Sequence, residues 1–415
     1  MIDYTRRVVM SRPETRTYFS PTLVAWALLI FAMPFYVVKS GLPQPGNLLI
    51  VVVAPLSLFT WNGRLSSRFT SAVKWLWWFT VWVFVVDVGW TLVLGTWTTS
   101  GADSTLVFPI YYVYNFLVVL VALVLYQRYR DVFIKVTLNV ISISVALLLV
   151  SSIFLGEGIR ERAVLFFNNP NQLGSYALAA ACVIKICQRR SGFSTARTSM
   201  LLVACLYLAF LSASRAAVGS ILILLSTLVF SSPRVLVLVS LLALGLVSLA
   251  GPLARAIDET EIRIELRSEG HEDLISGRAY DRLWRFPEYL VLGAGEGNTM
   301  RFVDDQKHAM EIHSSFATIA FSYGIVGSLL FAAFLWSVLR RSSLRDMLAV
   351  VAIFAYGMTH QGLRSTMLWV FLAMFLVMQD SSAVDVKDPE TLDKRIRSIW
   401  QARHQSRIDG ARARS

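Results

Sequence analysis

Residues 106–126 read LVFPIYYVYNFLVVLVALVLY and contain no charged side chain. Residues 235–253 form a second such run, and an α-helix needs roughly 20 apolar residues to cross a bilayer. Both runs are continuous rather than alternating, and hydrocarbon cannot satisfy free backbone amides, so helices are predicted instead of barrel strands. The whole chain is 55% hydrophobic and 16% charged, which predicts an all-α, polytopic membrane protein and excludes a soluble enzyme.

The apolar runs predict about twelve transmembrane helices. Their centres lie near residues 30, 54, 84, 116, 143, 179, 205, 223, 244, 327, 354 and 372. Placing the N-terminus in the cytoplasm assigns 26 of the 39 lysines and arginines to cytoplasmic segments, in agreement with the positive-inside rule. Both termini are therefore predicted to be cytoplasmic.

This topology divides the chain into four parts. Residues 1–250 hold helices one to nine, residues 251–313 form one large external loop, and residues 314–379 hold helices ten to twelve. Residues 380–415 are predicted to form a basic, partly disordered cytoplasmic tail. We interpret the tail as solvated, and binding to anionic lipid is the alternative.

The formal net charge of +12 raises the question of a nucleic-acid partner. The external loop carries eight basic and thirteen acidic residues, so the positive excess lies in the short loops and the tail. Basic residues at those places orient membrane helices, and they do not interleave with aromatic residues as in a nucleic-acid surface. Nucleic-acid binding is not predicted.

The external loop contains a candidate phosphate-binding helix over residues 278–286. At about 100° per residue, Arg278, Arg282 and Arg285 would share one face. Guanidinium groups bind phosphate through paired hydrogen bonds, so this face would suit a phosphorylated lipid. The alternative is an amphipathic interfacial helix in which Asp281 pairs with Arg285.

Two further candidates lie at the predicted external rim of the membrane. Arg215 stands between two apolar runs, where it would bind a ligand or snorkel to the surface. His313 stands where the loop meets the tenth predicted helix and is the best-placed general base, with Glu311 as a carboxylate that could orient it. A capping or merely polar histidine is the alternative.

Asp87 is a carboxylate deep in the third predicted helix. It would act as a partner for an arginine or as part of a proton path. Together with Glu311 and with Arg364, which lies between the last two predicted helices, it forms a set of candidate supporting residues.

Neither a metal nor a cofactor is predicted. The glycines of 293–297 have no preceding strand, so they indicate a turn rather than a nucleotide-binding motif. Asp304 and Asp305 have no histidine or cysteine at ligand spacing and are interpreted as a solvated pair.

Four segments of the chain resemble the O-antigen ligase and polymerase family of bacterial inner-membrane glycosyltransferases. They are Asn-Asn-Pro-Asn at 168–171, the segment 212–216 around Arg215, the segment 276–295, and His313 followed by Gly-Ile-Val-Gly at 324–327. Their order and spacing, with one large loop before the late helices, carry the resemblance. It covers roughly residues 165 to 340 and leaves the first half of the chain uncovered.

The resemblance implies a GT-C-like fold whose active site faces the periplasm. The donor would be a glycan on undecaprenyl diphosphate, transferred to a sugar hydroxyl with inversion and without a metal. By similarity, Arg215 and Arg278 would bind the diphosphate and His313 would take the acceptor's proton. The family often has Asn after this histidine, whereas this chain has Ser314, so the histidine is expected to be held differently.

Two activities fit this resemblance, and a third function belongs to another class. A polymerase would join repeat units, and a ligase would transfer the glycan to lipid A core; we favour the polymerase because no feature marks a lipopolysaccharide acceptor site. Membrane lipids and a chain-length regulator or other assembly proteins would be partners. A lipid-linked glycan flippase would also need many helices, but it would not need the loop's arginines and rim histidine.

Overall fold

The computed structural model describes residues 20–38, 44–59, 61–97, 105–154, 163–229, 278–302 and 311–380. Every regular element in these ranges is a helix, which confirms the predicted all-α class. Two of the elements, Pro45–Leu49 and Thr299–Phe302, are short 3-10 helices.

The α-helices are numbered here in chain order. They are α1 (Pro21–Ala32), α2 (Ile50–Leu58), α3 (Ser67–Leu94), α4 (Val107–Tyr129), α5 (Asp131–Phe154), α6 (Pro170–Ser191), α7 (Thr195–Leu211), α8 (Arg215–Val229), α9 (Arg282–Arg285), α10 (Tyr289–Leu292), α11 (Ser315–Leu339), α12 (Leu344–Thr359) and α13 (Thr366–Met378). Helices α9 and α10 belong to the predicted external loop.

Four of these helices, α3, α4, α5 and α11, are long and apolar enough to cross a membrane. Helices also occupy every other predicted centre except that near residue 244, which lies outside the described residues. The total of twelve spans stays a prediction. So do the extent of the external loop, of which only 278–302 and 311–313 are described, and the tail beyond Asp380.

Helix α6 lies at the centre of the bundle, where it packs against α5, α7, α8, α12 and α13. Its alanines Ala177 and Ala180 are fully buried, and side chains of this size allow helix backbones to approach closely. At Gly174 an added Cβ atom would lie 2.8 Å from the Ser212 hydroxyl oxygen. The segments 168–171 and 212–216, which carry part of the family resemblance, therefore lie side by side.

The loop enters the helix bundle through residues 293–297, which we call the glycine wedge. The Ala294 amide donates to the Phe321 carbonyl at 2.9 Å, and the Gly295 amide donates to the Ser322 carbonyl at 2.8 Å. Helix α11 makes room for these bonds with a kink at Gly324, where φ is 63° and ψ is −164°. The kink therefore supplies the acceptors that the inserted loop backbone needs.

Two tryptophans of α3 hold the other side of this junction. The Trp82 indole N–H donates to the Tyr323 carbonyl at 2.8 Å, next to the kink. The Trp90 indole N–H donates to the Gly293 carbonyl at 3.0 Å, at the start of the glycine wedge. Loop, α3 and α11 are thus joined by backbone and indole hydrogen bonds.

The bundle end opposite the loop is rich in cations. Helix α13 begins beside Arg364 under the loop, and the residues after its end accept hydrogen bonds from other helices. There the Arg68 guanidinium donates to the Gln379 carbonyl at 2.8 Å, and Arg130 pairs with Asp380 at 2.9 Å. The orientation of the bundle in a membrane stays a prediction.

The kink at Gly324 gives a stability prediction. A Cβ atom there would lie 2.5 Å from the Val291 carbonyl oxygen, and the backbone has a positive φ. Gly324→Ala should therefore destabilise the fold by about 1–3 kcal/mol or more, measured as a lower apparent melting temperature in detergent micelles. Gly89→Ala is the control, because an added Cβ in α3 meets nothing within 4 Å. Equal melting temperatures would show that the kink is dispensable.

Candidate functional site

A polar cavity of about 290 Å³ lies beneath the loop, among the helix ends on that side of the bundle; we call it the central cavity. Its lining is dominated by amide side chains, tyrosines and two histidines. The main lining residues are Tyr36, Gln44, Asn47, Tyr111, Asn169, Asn171, Gln172, Tyr176, Glu311, His313, Tyr356, His360, Gln361 and Arg364. The wall therefore offers many hydrogen-bonding groups to a ligand.

The loop backbone fixes the ring of His313. The His313 amide donates to the Arg278 carbonyl at 3.2 Å, and the ring Nδ1 lies 2.7 Å from the Glu311 carbonyl oxygen. A carbonyl oxygen only accepts, so the hydrogen bond assigns the proton to Nδ1. The basic lone pair is then on Nε2. The group that orients the ring is the backbone carbonyl of Glu311, whereas the sequence predicted the carboxylate of the same residue.

Ser314, at the position where the family that the chain resembles often has Asn, is the N-cap residue of helix α11. Its hydroxyl accepts from the Ala317 amide at 3.3 Å, as an N-cap does, and it contacts the Gly357 carbonyl at 3.3 Å. His313 therefore sits one residue outside a capped helix end.

Arg364 joins two acidic residues that are far apart in the sequence. Its Nε donates to the Glu296 carboxylate at 3.2 Å, and its Nη2 donates to the Glu311 carboxylate at 2.5 Å. We call Glu296, Arg364 and Glu311 the carboxylate clamp. Burial tends to raise the pKa of Glu311, but the charge and hydrogen bond of Arg364 outweigh it and lower that pKa. Burial tends to lower the pKa of Arg364, and the two carboxylates raise it.

The clamp is anchored to two long helices through Glu296. The Tyr112 hydroxyl of α4 donates to the Glu296 carboxylate at 2.5 Å, and the Tyr323 hydroxyl of α11 donates to it at 2.8 Å. Only 4% of the Glu296 residue is exposed, so these donors replace water around a buried charge.

Asp87 holds the glycine wedge from below. It is fully buried in α3, and its carboxylate accepts the Glu296 amide at 2.9 Å and lies 3.4 Å from the Tyr323 hydroxyl. An added Cβ at Gly295 would lie 2.9 Å from the same carboxylate. Of the two predicted roles, the geometry favours a structural one, although the direct partner is a loop amide and not an arginine.

The prediction that three arginines share one face of a helix over residues 278–286 is wrong, because the helix covers only Arg282–Arg285. Arg278 precedes it in a turn and donates to the Thr359 carbonyl. Arg282 is buried over the Phe302 ring, with 5.4 Å between guanidinium carbon and ring centroid. The three side chains therefore point to different surroundings.

Arg285 agrees with the alternative prediction, in which it pairs with Asp281 instead of binding phosphate. It is exposed and pairs with Asp281 at 3.2 Å, one helical turn away. Arg215 is exposed as well, at the first position of α8 beside the start of α6. Neither arginine is among the described residues that line the central cavity.

Arg282 is the predicted arginine that comes nearest the clamp. It lines a small crevice together with Glu296, Glu311 and Arg364. Burial lowers the pKa of Arg282, and the charges of Asp281 and Glu311 oppose that effect. Glu311 and Arg364 line both this crevice and the central cavity. Of the predicted arginines, the buried Arg282 therefore comes closest to the predicted phosphate site.

Several site residues were missed by the sequence reasoning. Glu296 stands between two glycines, in a segment for which the sequence predicts only a turn. His360 lines the central cavity stacked on Tyr356, with 4.4 Å between the ring centroids. Arg301 lies over the rings of Trp90 and Phe302, and burial lowers its pKa to about 10. Among these residues, only Glu296 carries a signal in the sequence that could have marked it as a site residue, because it is an acidic residue within a glycine-rich segment.

The metal prediction stays open to experiment. Within the described ranges, no group of three or more His, Cys, Asp or Glu side chains is arranged to hold a metal ion. Asp304 and Asp305 lie outside the described residues.

The chain matches no protein-family model and no curated protein sequence.

The lowered pKa of Glu311 predicts how stability depends on pH. Its ordinary value is 4.5, and the folded value lies below it. The ion pair therefore contributes fully above about pH 4.5, and its contribution is lost as the pH falls through the folded pKa. Apparent melting temperatures measured from pH 7 to pH 3 should fall less steeply for Glu311→Gln than for the wild type. Glu288→Gln, at an exposed position of the same loop, should follow the wild type. Parallel curves for Glu311→Gln and wild type would contradict the prediction.

Proposed function

We propose that the chain is a metal-independent, inverting glycosyltransferase of bacterial surface-polysaccharide assembly. It would transfer a glycan from undecaprenyl diphosphate to an acceptor sugar hydroxyl at the periplasmic face of the inner membrane, acting as a polymerase of repeat units. The observation that carries the proposal is His313, whose ring lines the central cavity and whose Nδ1 is tied to a backbone carbonyl.

The chemistry follows from this tautomer. With the proton on Nδ1, Nε2 can accept the proton of the acceptor hydroxyl while its oxygen attacks the anomeric carbon. The new bond forms on the face of the anomeric carbon opposite the diphosphate. The bond between the anomeric carbon and the diphosphate oxygen breaks, and the diphosphate leaves with the electron pair of that bond. The product is a glycoside of inverted configuration and free undecaprenyl diphosphate.

The lining of the central cavity suits an uncharged sugar acceptor. Amide and phenol groups can donate to and accept from sugar hydroxyls, and tyrosine rings offer apolar faces. The charge of Arg364 is already paired with Glu296 and Glu311. The described lining therefore favours a repeat-unit sugar over a phosphorylated acceptor, which supports a polymerase over a ligase acting on lipid A core.

The donor's diphosphate would lie beside the clamp. Arg282 has the closest position, Arg278 adjoins His313 through its backbone carbonyl, and Arg215 lies at the same end of the bundle. Membrane lipids would surround the site. A chain-length regulator or other assembly proteins would act as partners.

The general base gives the first functional prediction. His313→Ala should insert and fold, but lose about 10²- to 10⁴-fold in transfer rate, because the imidazole that takes the acceptor's proton would be gone. The measurement is transfer in isolated membranes supplied with a lipid-linked repeat unit. His404→Ala, in the C-terminal tail, is the histidine control. Wild-type transfer by His313→Ala would remove this residue from the mechanism, whereas no transfer by the wild-type protein would make a flippase the better proposal.

Deletion of the gene distinguishes the two transferase activities. Gel analysis of surface glycans should show core carrying a single repeat unit if polymerisation is lost. Bare core with accumulating lipid-linked chains would identify a ligase instead.

The two arginines at the ends of α9 give a second functional prediction. Arg282→Lys should lower kcat/KM for the donor by about tenfold, since a point charge cannot replace a planar fork on phosphate oxygens. Arg285→Lys should have a much smaller effect, because Arg285 is exposed and already paired with Asp281. Steady-state kinetics with varied donor concentration measure both. The reverse ranking would make Arg285 the phosphate ligand.

A further inference from the structure

We infer that Glu296 is a positioning residue for His313, acting through Arg364 and Glu311, and that a change in the charge of this clamp would change the pH dependence of the base. The catalytic meaning of this inference rests on the proposed function. Its structural part, the coupling of a buried glutamate to the protonation of His313, can be measured without any activity.

The first step is the anchoring of Glu296. Its carboxylate receives three donors, the hydroxyls of Tyr112 and Tyr323 and the Nε of Arg364, at 2.5, 2.8 and 3.2 Å. Its backbone amide is held by Asp87 at 2.9 Å. Hydrogen bonds from two long helices restrict the Glu296 carboxylate, and the bond to Asp87 restricts its backbone. Glu296 is therefore a rigid support for Arg364.

The second step transmits this position to the histidine. The other end of the Arg364 guanidinium donates to the Glu311 carboxylate at 2.5 Å. The backbone carbonyl of the same Glu311 lies 2.7 Å from Nδ1 of His313. Loss of Glu296 would therefore release Arg364, then Glu311, and finally the carbonyl that keeps the histidine in its reactive tautomer.

The third step is electrostatic. The clamp contains two carboxylates and one guanidinium and so has a net charge of about −1, and a substitution that changes this charge changes the electrostatic potential at the imidazole. Other titratable or charged groups also face this region. They are Arg278 and Arg282 of the loop, Asp87 behind Glu296, His360 after α12, and the tyrosines Tyr36, Tyr111, Tyr112, Tyr176, Tyr323 and Tyr356. The clamp is connected to His313 through the Glu311 carbonyl, and Arg278 is connected to the His313 amide through its own backbone carbonyl.

The experiment compares the pH dependence of kcat in variants that change the charge of the clamp in opposite directions. Glu296→Gln removes a negative charge, so the imidazole should protonate at lower pH and the acidic limb should move down by about 0.3 to 1 pH unit. Arg364→Gln removes a positive charge, and the limb should move up. Glu296→Gln should also lower kcat by about tenfold with little change in the acceptor KM.

Three further variants separate charge from packing. Tyr112→Phe removes a hydrogen bond but no charge, and Glu288→Gln removes an exposed charge of the same loop, so neither should move the acidic limb. If Arg364→Gln fails to insert because two buried carboxylates lose their partner, Arg364→Lys replaces it. Arg364→Lys should lower kcat and leave the limb in place. Lower kcat in Glu296→Gln with an unmoved limb would overturn the inference and leave Glu296 a purely structural residue.

A second measurement does not depend on catalysis. The ring resonances of labelled histidine in nanodisc-embedded protein can be followed by NMR against pH, and His313 is identified by its loss in His313→Gln. The midpoint of its titration should move down in Glu296→Gln and stay in Glu288→Gln. If the wild type shows no transferase activity but this shift occurs, the proposed function fails and the inferred coupling stands. An unmoved midpoint overturns the coupling, whether or not the protein is a transferase.

Discussion

The site depends on the requirement that inserted loop backbone find hydrogen-bond partners among the helices. Non-helical backbone among apolar helices is tolerated only where its amides and carbonyls are paired. The glycine wedge meets this requirement because α11 is kinked at Gly324 and exposes the carbonyls of Phe321 and Ser322. Because those bonds fix the wedge, they also fix Glu296, the one acidic side chain within it.

Buried charge is the second constraint, and it links structure to chemistry. Glu296 is almost fully buried and needs donors from more than one element, so two tyrosines and Arg364 converge on it. A buried ion pair is weak evidence for stability, since desolvation offsets its attraction, but its geometry is demanding. In this protein the same arrangement places Arg364 beside the Glu311 carboxylate, and the backbone carbonyl of Glu311 orients His313.

The candidate site could be predicted in part because some of its residues lie next to strong sequence signals. His313 and Glu311 adjoin the start of a long apolar helix, and Arg364 lies in a short gap between two others, so their common level in the bundle follows from topology. The arginines of 278–286 gave a different outcome. Their shared face required a helix of nine residues, but a turn replaces its first half, and Arg278 and Arg285 contact neighbours of their own.

The amino-acid sequence by itself determined the all-α class and the centres of the apolar helices that the structure describes, because long uncharged runs satisfy their backbone in hydrocarbon by forming helices. Tertiary structure alone decided which of those ends meet. It paired Glu296 with an arginine 68 positions away, placed Asp87 under a loop amide, and put the Glu311 backbone beside His313. Such contacts depend on the depth of the glycine wedge and on the kink that receives it, and neither is visible in hydrophobic periodicity.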